Sequence, residues 1–230
     1  MNLLFARVLI FILLFPTPAL SSGFLQGTIW ERAAKEKNID PVLLYSVTIC
    51  ESAHQAGPNQ IKPWPYALNV NGYGRSYYPK TRKEAEGILD YLRSQGIIDV
   101  DVGLGQVNLR YHGHKVNRPA ELLDPTTNLL VASGILKEAL SSCDDPVLGV
   151  GRYHSWTYWR AKNYGSKVIK LYNRLQTFTR AAGPCNTPKH MTLPFPVLPR
   201  LTAASWPPVM DYDIATAPIR RITRGNYGTK

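Results

Sequence analysis

Asp40-Pro41-Val42-Leu43-Leu44-Tyr45-Ser46-Val47-Thr48-Ile49-Cys50-Glu51-Ser52 reads as a helix that is apolar on more than one side and ends on a carboxylate. Asp40 suits the N-cap and Pro41 the first helical position, so the start is well signalled. Val42, Leu43, Val47, Ile49 and Cys50 extend the apolar surface beyond a single stripe, which marks a core element. Glu51 on such an element has two readings. As a helix-end residue it points into water. As a partly desolvated acid its charged form is disfavoured, its pKa rises from the reference of about 4.3, and a proton stays available near neutral pH.

Outward from this helix the chain is largely helical in pattern. Phe24 to Lys37 reads as an amphipathic helix with Phe24, Ile29 and Ala33 on its apolar side. Lys80 to Gln95 repeats the pattern with Ala85, Ile88, Leu89 and Leu92, and Gly96 stops it. Asp124 caps a helix that begins at Pro125, a short helix is expected over about 146–154, and a long one over about 159–179. Between them, Gly57 to Pro79 is irregular and rich in Pro, Gly, Asn and Tyr, and Asp99 to Asn108 reads as a turn segment. Strand-like alternation is nearly absent, so the expected class is mainly α, at most with a small hairpin.

The 230 residues, 44% hydrophobic, suffice for one globular domain with extensions. Arg7, the apolar run Val8 to Phe15, Pro16 and the small residues Ala19-Leu20-Ser21 read as a secretory signal peptide over 1–21. The run is shorter than the about 20 residues that cross a bilayer, so no stable membrane insertion is expected after cleavage. From Gly183 onward prolines break any regular pattern and the end is basic, a disordered tail over 183–230. It either touches a partner or is simply solvated. The domain is then 22–182.

Export permits disulfides, but the chain has three cysteines. Cys50 suits a small buried residue, which leaves Cys143 and Cys185 as the candidate bridge. The net charge is +11, with the cations scattered. Export turns this away from nucleic acid and towards an anionic wall polymer or membrane surface. Glu51 with His54 forms an E-x-x-H pair and His112 with His114 an H-x-H pair. No matching second half with further glutamates accompanies them, so neither metal nor cofactor is expected.

Four short motifs follow one another in order along the chain: Glu51-Ser52 closing a helix, Gly103-Leu104-Gly105-Gln106-Val107-Asn108 in a turn, Asp124-Pro125 with Asn128, and Val150-Gly151-Arg152-Tyr153-His154-Ser155. Together, over about 24–179, they resemble the soluble lytic transglycosylases, lysozyme-like enzymes that cut peptidoglycan. Tyr66-Ala67-Leu68-Asn69, Asp101-Val102-Gly103 and Tyr111-His112 look most like the branch associated with conjugation and type IV secretion systems.

The resemblance implies a lysozyme-like domain in the periplasm, with the 57–79 loop lining a cleft, acting on glycan strands and working with a secretion apparatus. It implies that Glu51 is the catalytic acid and that Ser52, Gln106, Asn108 and Tyr153 contact substrate or orient the acid. Gly105 replaces the family's usual methionine and His154 its usual asparagine. Tyr77 and Tyr78 either stack on sugar faces or pack the loop. Asp101 either approaches as a second carboxylate, giving a hydrolytic muramidase, or accepts hydrogen bonds within its turn. A wall-binding scaffold without activity is the remaining class.

Overall fold

The start of the Glu51 helix is built as its sequence dictates. Asp40 Oδ1 accepts from Val42 N at 2.7 Å and from Leu43 N at 3.2 Å, satisfying two amides that the helix itself cannot. In the computed structural model, which describes residues 23–57 and 60–181, the elements run α1 Ile29–Lys37, α2 Pro41–Ser52, β1 Ala53–Gly57, β2 Gln60–Pro63, β3 Leu68–Val70, β4 Arg75–Tyr77, α3 Arg82–Ser94, β5 Val100–Val102, β6 Val107–Asn108, α4 Leu109–His112, α5 Pro125–Leu140, α6 Pro146–Gly151 and α7 Tyr158–Ala181. The class is mainly α. No helix among the described residues is long and apolar enough to cross a membrane. The proposed signal peptide and C-terminal tail lie outside the described residues.

The chain forms two compact units that divide at Glu51/Ser52 and Asp124/Pro125. The helical unit holds described residues 23–51 and 125–181. Val42, Leu44, Tyr45, Val47 and Ile49 of α2 are buried in it, with Leu129, Ala132 and Leu136 of α5 and Ala161, Val168 and Leu175 of α7. Ser46 and Thr48 are buried as well, and helix carbonyls absorb their hydroxyls. Ser46 Oγ donates to Val42 O at 2.7 Å and Thr48 Oγ1 to Tyr45 O at 2.8 Å, so neither polar group disqualifies α2 as a core helix. Thr48 Oγ1 in turn accepts from Trp30 Nε1 at 3.0 Å.

The first helix is shorter than its pattern suggests. Gly27, at φ +75°, separates a 3-10 turn at Gly23–Leu25 from α1, and Thr28 caps α1 by accepting from Glu31 N. Phe24 therefore sits outside the helix, edge-on to Tyr45 with ring centroids 5.6 Å apart.

Asp40 does more than cap. Its Oδ2 accepts from Tyr172 Oη at 2.9 Å and from Gln176 Nε2 at 3.3 Å, tying the start of α2 to α7. Loss of a cap typically costs about 1 kcal/mol, and here two α7 donors lose their acceptor too. Asp40→Ala is expected to lower unfolding free energy by about 2–3 kcal/mol in urea titrations with an unchanged slope. A loss under about 0.5 kcal/mol would contradict the tether.

The second unit, described residues 52–57 and 60–124, is where the sequence reading needs correction. The 57–79 stretch and the 99–108 turn carry strands. Four pair antiparallel in the order β4-β3-β5-β6, and β1 pairs with β2 as a separate hairpin. Leu68 faces Val102 and Val70 faces Val100, which buries one side of β3 and β5. Each of these strands has three residues, too few for alternation to stand out from chance. α3 conforms to its pattern: Ala85, Ile88, Leu89 and Leu92 are buried, and Thr81 with Glu84 forms a complete capping box.

Candidate functional site

In the helical unit the candidate acid lies on the last turn of α2. Glu51 is half-buried, and its Oε1 is shielded from solvent. Of the two sequence readings, the partly desolvated carboxylate is therefore the one that matches its surroundings. The neighbour Cys50 is a half-buried free thiol pushed up to about 12, by burial first and then by the Glu51 charge, with Lys167 pulling the other way.

Tyr164 of α7 completes this surrounding. Its ring retains some exposure while its hydroxyl is buried. Burial pushes its ionisation well above the ordinary tyrosine value, and the Glu51 charge, Cys50, hydrogen bonding to Glu51 and Tyr153 push the same way. Neither Tyr164 Oη nor Glu51 Oε1 closes a hydrogen bond of strict geometry among the described residues, though the Glu51 carboxylate has other polar interactions. His154 stacks on the Tyr164 ring, centroids 4.8 Å apart and planes 9° from parallel.

The backbone explains how Tyr153 and His154 arrive there. α6 starts under an Asp145 cap and ends at Gly151, and Tyr153 N and His154 N then donate to Val150 O and Gly151 O in a tight turn. Arg152 holds that turn by donating from Nη1 to Ser142 O and Oγ, each at 2.7 Å. Glu51, Tyr153, His154 and Tyr164 are thereby gathered in one unit from α2, the α6–α7 turn and α7.

Sequence reasoning missed Tyr164. The available signal is its position between Ala161 and Val168, both fully buried, on the inward stripe of a long helix. A tyrosine there must send its hydroxyl towards some polar partner.

The second unit holds the other candidates. Asp101 is half-buried on β5 and accepts from Asn108 Nδ2 on Oδ1 at 2.8 Å and from Asn71 Nδ2 and Asn69 Nδ2 on Oδ2 at 2.8 and 3.4 Å. Burial raises its pKa, the three amides pull it down, and the Asp99 charge adds to the rise. The donors are side-chain amides from the sheet rather than the backbone N–H groups of its turn. A carboxylate has about four lone-pair positions, and three are taken.

Asn108 is used at both ends. Nδ2 reaches Asp99 and Asp101, and Oδ1 caps α4 by accepting from Arg110 N and Tyr111 N. Gln106, at φ +46°, folds its Nε2 back onto Gly103 O at 2.8 Å and Ala67 O at 3.1 Å, bracing the turn. Ser52 is buried and donates to Leu104 O at 2.7 Å. Thus three side chains expected to meet substrate spend polar atoms on the fold. Gly105 is buried in the same turn.

Tyr77 is half-buried on β4 opposite Leu68. Tyr78 stacks on His54 at 4.5 Å, its phenol raised by burial, and His54 meets Trp64 edge-on. Of the two tyrosines, Tyr78 is the one built into an aromatic cluster.

Among the described residues no group of three or more His, Cys, Asp or Glu could hold a metal ion. Among the described residues Cys143 forms no disulfide, and its Sγ lies 3.5 Å from Asp145 O. Its expected partner Cys185 lies outside the described residues. In comparisons with known proteins, no family model, no curated protein and no solved structure matches the chain.

Proposed function

We propose that the protein is a peptidoglycan lytic transglycosylase of lysozyme-like architecture, exported to the periplasm, with Glu51 as its only catalytic carboxylate. One observation carries the reading: a carboxylate with a buried oxygen closes an apolar helix and lies beside a buried phenol. The motif order that resembles the family adds to it. Opening the wall for a conjugative or type IV secretion apparatus is the context that the resemblance suggests.

The chemistry uses the acid twice. Protonated Glu51 gives its proton to the glycosidic oxygen between MurNAc and GlcNAc as the C1–O bond breaks, and the GlcNAc end leaves as an alcohol. The N-acetyl carbonyl of MurNAc supports the positive charge at C1. The C6 hydroxyl of that sugar then attacks C1 and passes its proton to the Glu51 carboxylate, closing a 1,6-anhydro ring and restoring the acid. Tyr164 and Tyr153 hold the carboxyl group in place and exchange hydrogen bonds with it as it gains and loses charge.

Products of purified sacculi, weighed by mass spectrometry, test the reading. Anhydro-muropeptides, one water lighter than reducing ones, are expected. Reducing ends would establish the hydrolytic muramidase, and release no faster than from a Glu51→Gln control would leave the non-catalytic scaffold.

The hydrolytic reading needs Asp101 as nucleophile or base, and its three amide donors argue for an architectural role. In Asp101→Asn, an NH₂ group must face amides that already donate. We expect a stability loss of about 1–3 kcal/mol, with the folded fraction keeping at least about half of its specific activity. Wild-type stability combined with an activity loss as deep as that of Glu51→Gln would reverse the assignment.

A further inference from the structure

The helical unit exposes three large hydrophobic side chains among its described residues, and all three are aromatic and fall within four positions. Trp156 is 69% exposed, Tyr158 66% and Trp159 63%. Rings of this size are normally covered, and such a concentration marks an interaction site. Two arginines accompany them. The Arg152 guanidinium lies 5.1 Å from the Trp156 ring centroid and that of Arg160 5.0 Å from the Trp159 centroid. Arg152 is further fixed by its two hydrogen bonds to Ser142, so Trp156 is backed by an immobilised cation. Lys162 is neutralised by Asp145 at 2.7 Å, which leaves the positive character of the stretch to the arginines.

The composition selects the occupant. Tryptophan beside arginine also occurs at bilayer interfaces, but an anchor there adds leucine or phenylalanine along the same face to reach the acyl region. This stretch offers none, only rings with polar edges beside cations. Flat rings of that kind fit the C–H faces of pyranose sugars, and fixed guanidinium groups fit carboxylates carried along the strand. The stretch also begins two residues after His154, in the unit that carries Glu51.

We propose that Trp156, Tyr158 and Trp159 form a stacking platform for an anionic amino-sugar glycan, with Arg152 and Arg160 supplying its charge complement. This deepens the proposed function, on which it rests for the identity of the glycan. The platform holds the strand by binding alone and takes no part in bond cleavage.

The test separates the two readings by measuring binding without turnover. Mature protein carrying Glu51→Gln is co-sedimented with purified sacculi, with and without Trp156→Ala plus Trp159→Ala. A parallel series uses vesicles of phosphatidylethanolamine and phosphatidylglycerol. Because both tryptophans are exposed, near-UV circular dichroism outside the indole bands should stay unchanged. A Trp156→Tyr plus Trp159→Tyr protein serves as the conservative check.

Loss of two aromatic anchors should weaken sacculus binding on the order of tenfold or more. The tyrosine pair should recover most of it, and raised salt should weaken the parent further through the arginines. Undiminished sacculus binding by the alanine pair would overturn the proposal, as would no measurable binding by the parent. A defect confined to vesicles would overturn it in favour of a lipid surface. None of these outcomes depends on which product the wild-type enzyme releases, so the platform and the reaction can fail separately.

Discussion

Glu51→Gln protein is expected to fold like the wild type and to release wall fragments slower by on the order of 10²–10⁴-fold, the range for removing a general acid. Glutamine has nearly the same shape, so α2 keeps its packing and the amide oxygen still offers Tyr164 an acceptor. What disappears is the proton. An amide cannot hand one to a departing glycosidic oxygen, nor take one back from the C6 hydroxyl. Both halves of the reaction fail together, and no anhydro product should accumulate even at long times. Muropeptide release per hour at matched protein concentration, with thermal unfolding as the folding control, makes the measurement. A variant within about threefold of wild type would remove Glu51 from the mechanism, since no general acid is worth so little.

How far the sequence announced this arrangement depends on the kind of signal each element leaves. Helices declare themselves at their ends and along their faces. Asp40-Pro41 opens α2 and Asp124-Pro125 precedes α5, while Ala85, Ile88, Leu89 and Leu92 fill the inner face of α3. Those features are local, so a reader of the chain can find them. The sheet is not local. Leu68 meets Val102 across a separation of 34 positions, and neither strand is long enough to show a period. The surroundings of Glu51 are less legible still. Tyr164 comes from another helix more than a hundred residues away, and only its place on an inward stripe hints at it. Asp101 marks the same limit from the other side. An aspartate before glycine suggests a turn bound to its own backbone, whereas Asn69, Asn71 and Asn108 reach it from β3, its flank and β6.

The second large effect falls on a residue without a side chain. Gly165→Ala is expected to destabilise the helical unit by more than the ~1–3 kcal/mol typical of core overpacking. A Cβ at Gly165 would stand 1.8 Å from Val147 O, and one at Gly151 would stand 2.0 Å from Ala161 O. Both obstacles are backbone, so no rotamer change relieves them; α6 and α7 must move apart. Helix propensity pulls the other way by about 1 kcal/mol and is outweighed. Gly134 on α5 provides the contrast, because nothing lies within 4 Å of its Cβ position. Gly134→Ala should be neutral or stabilising by up to about 1 kcal/mol. The same substitution at two helical glycines thus has opposite signs, and thermal unfolding should separate them by roughly 10 °C. The consequence reaches the candidate acid, since Gly165 follows Tyr164 and Gly151 precedes the turn that carries Tyr153 and His154. Separating α6 from α7 disturbs the His154–Tyr164 stack and with it the phenol that neighbours Glu51. Activity should therefore fall in Gly165→Ala even at temperatures where the protein stays folded, with kcat losing more than KM gains because orientation of the acid is what is disturbed. Equal stability of the Gly165 and Gly134 variants would mean that α6 and α7 do not cross at these glycines. A folded Gly165 variant with full activity would mean that Tyr164 does nothing for Glu51.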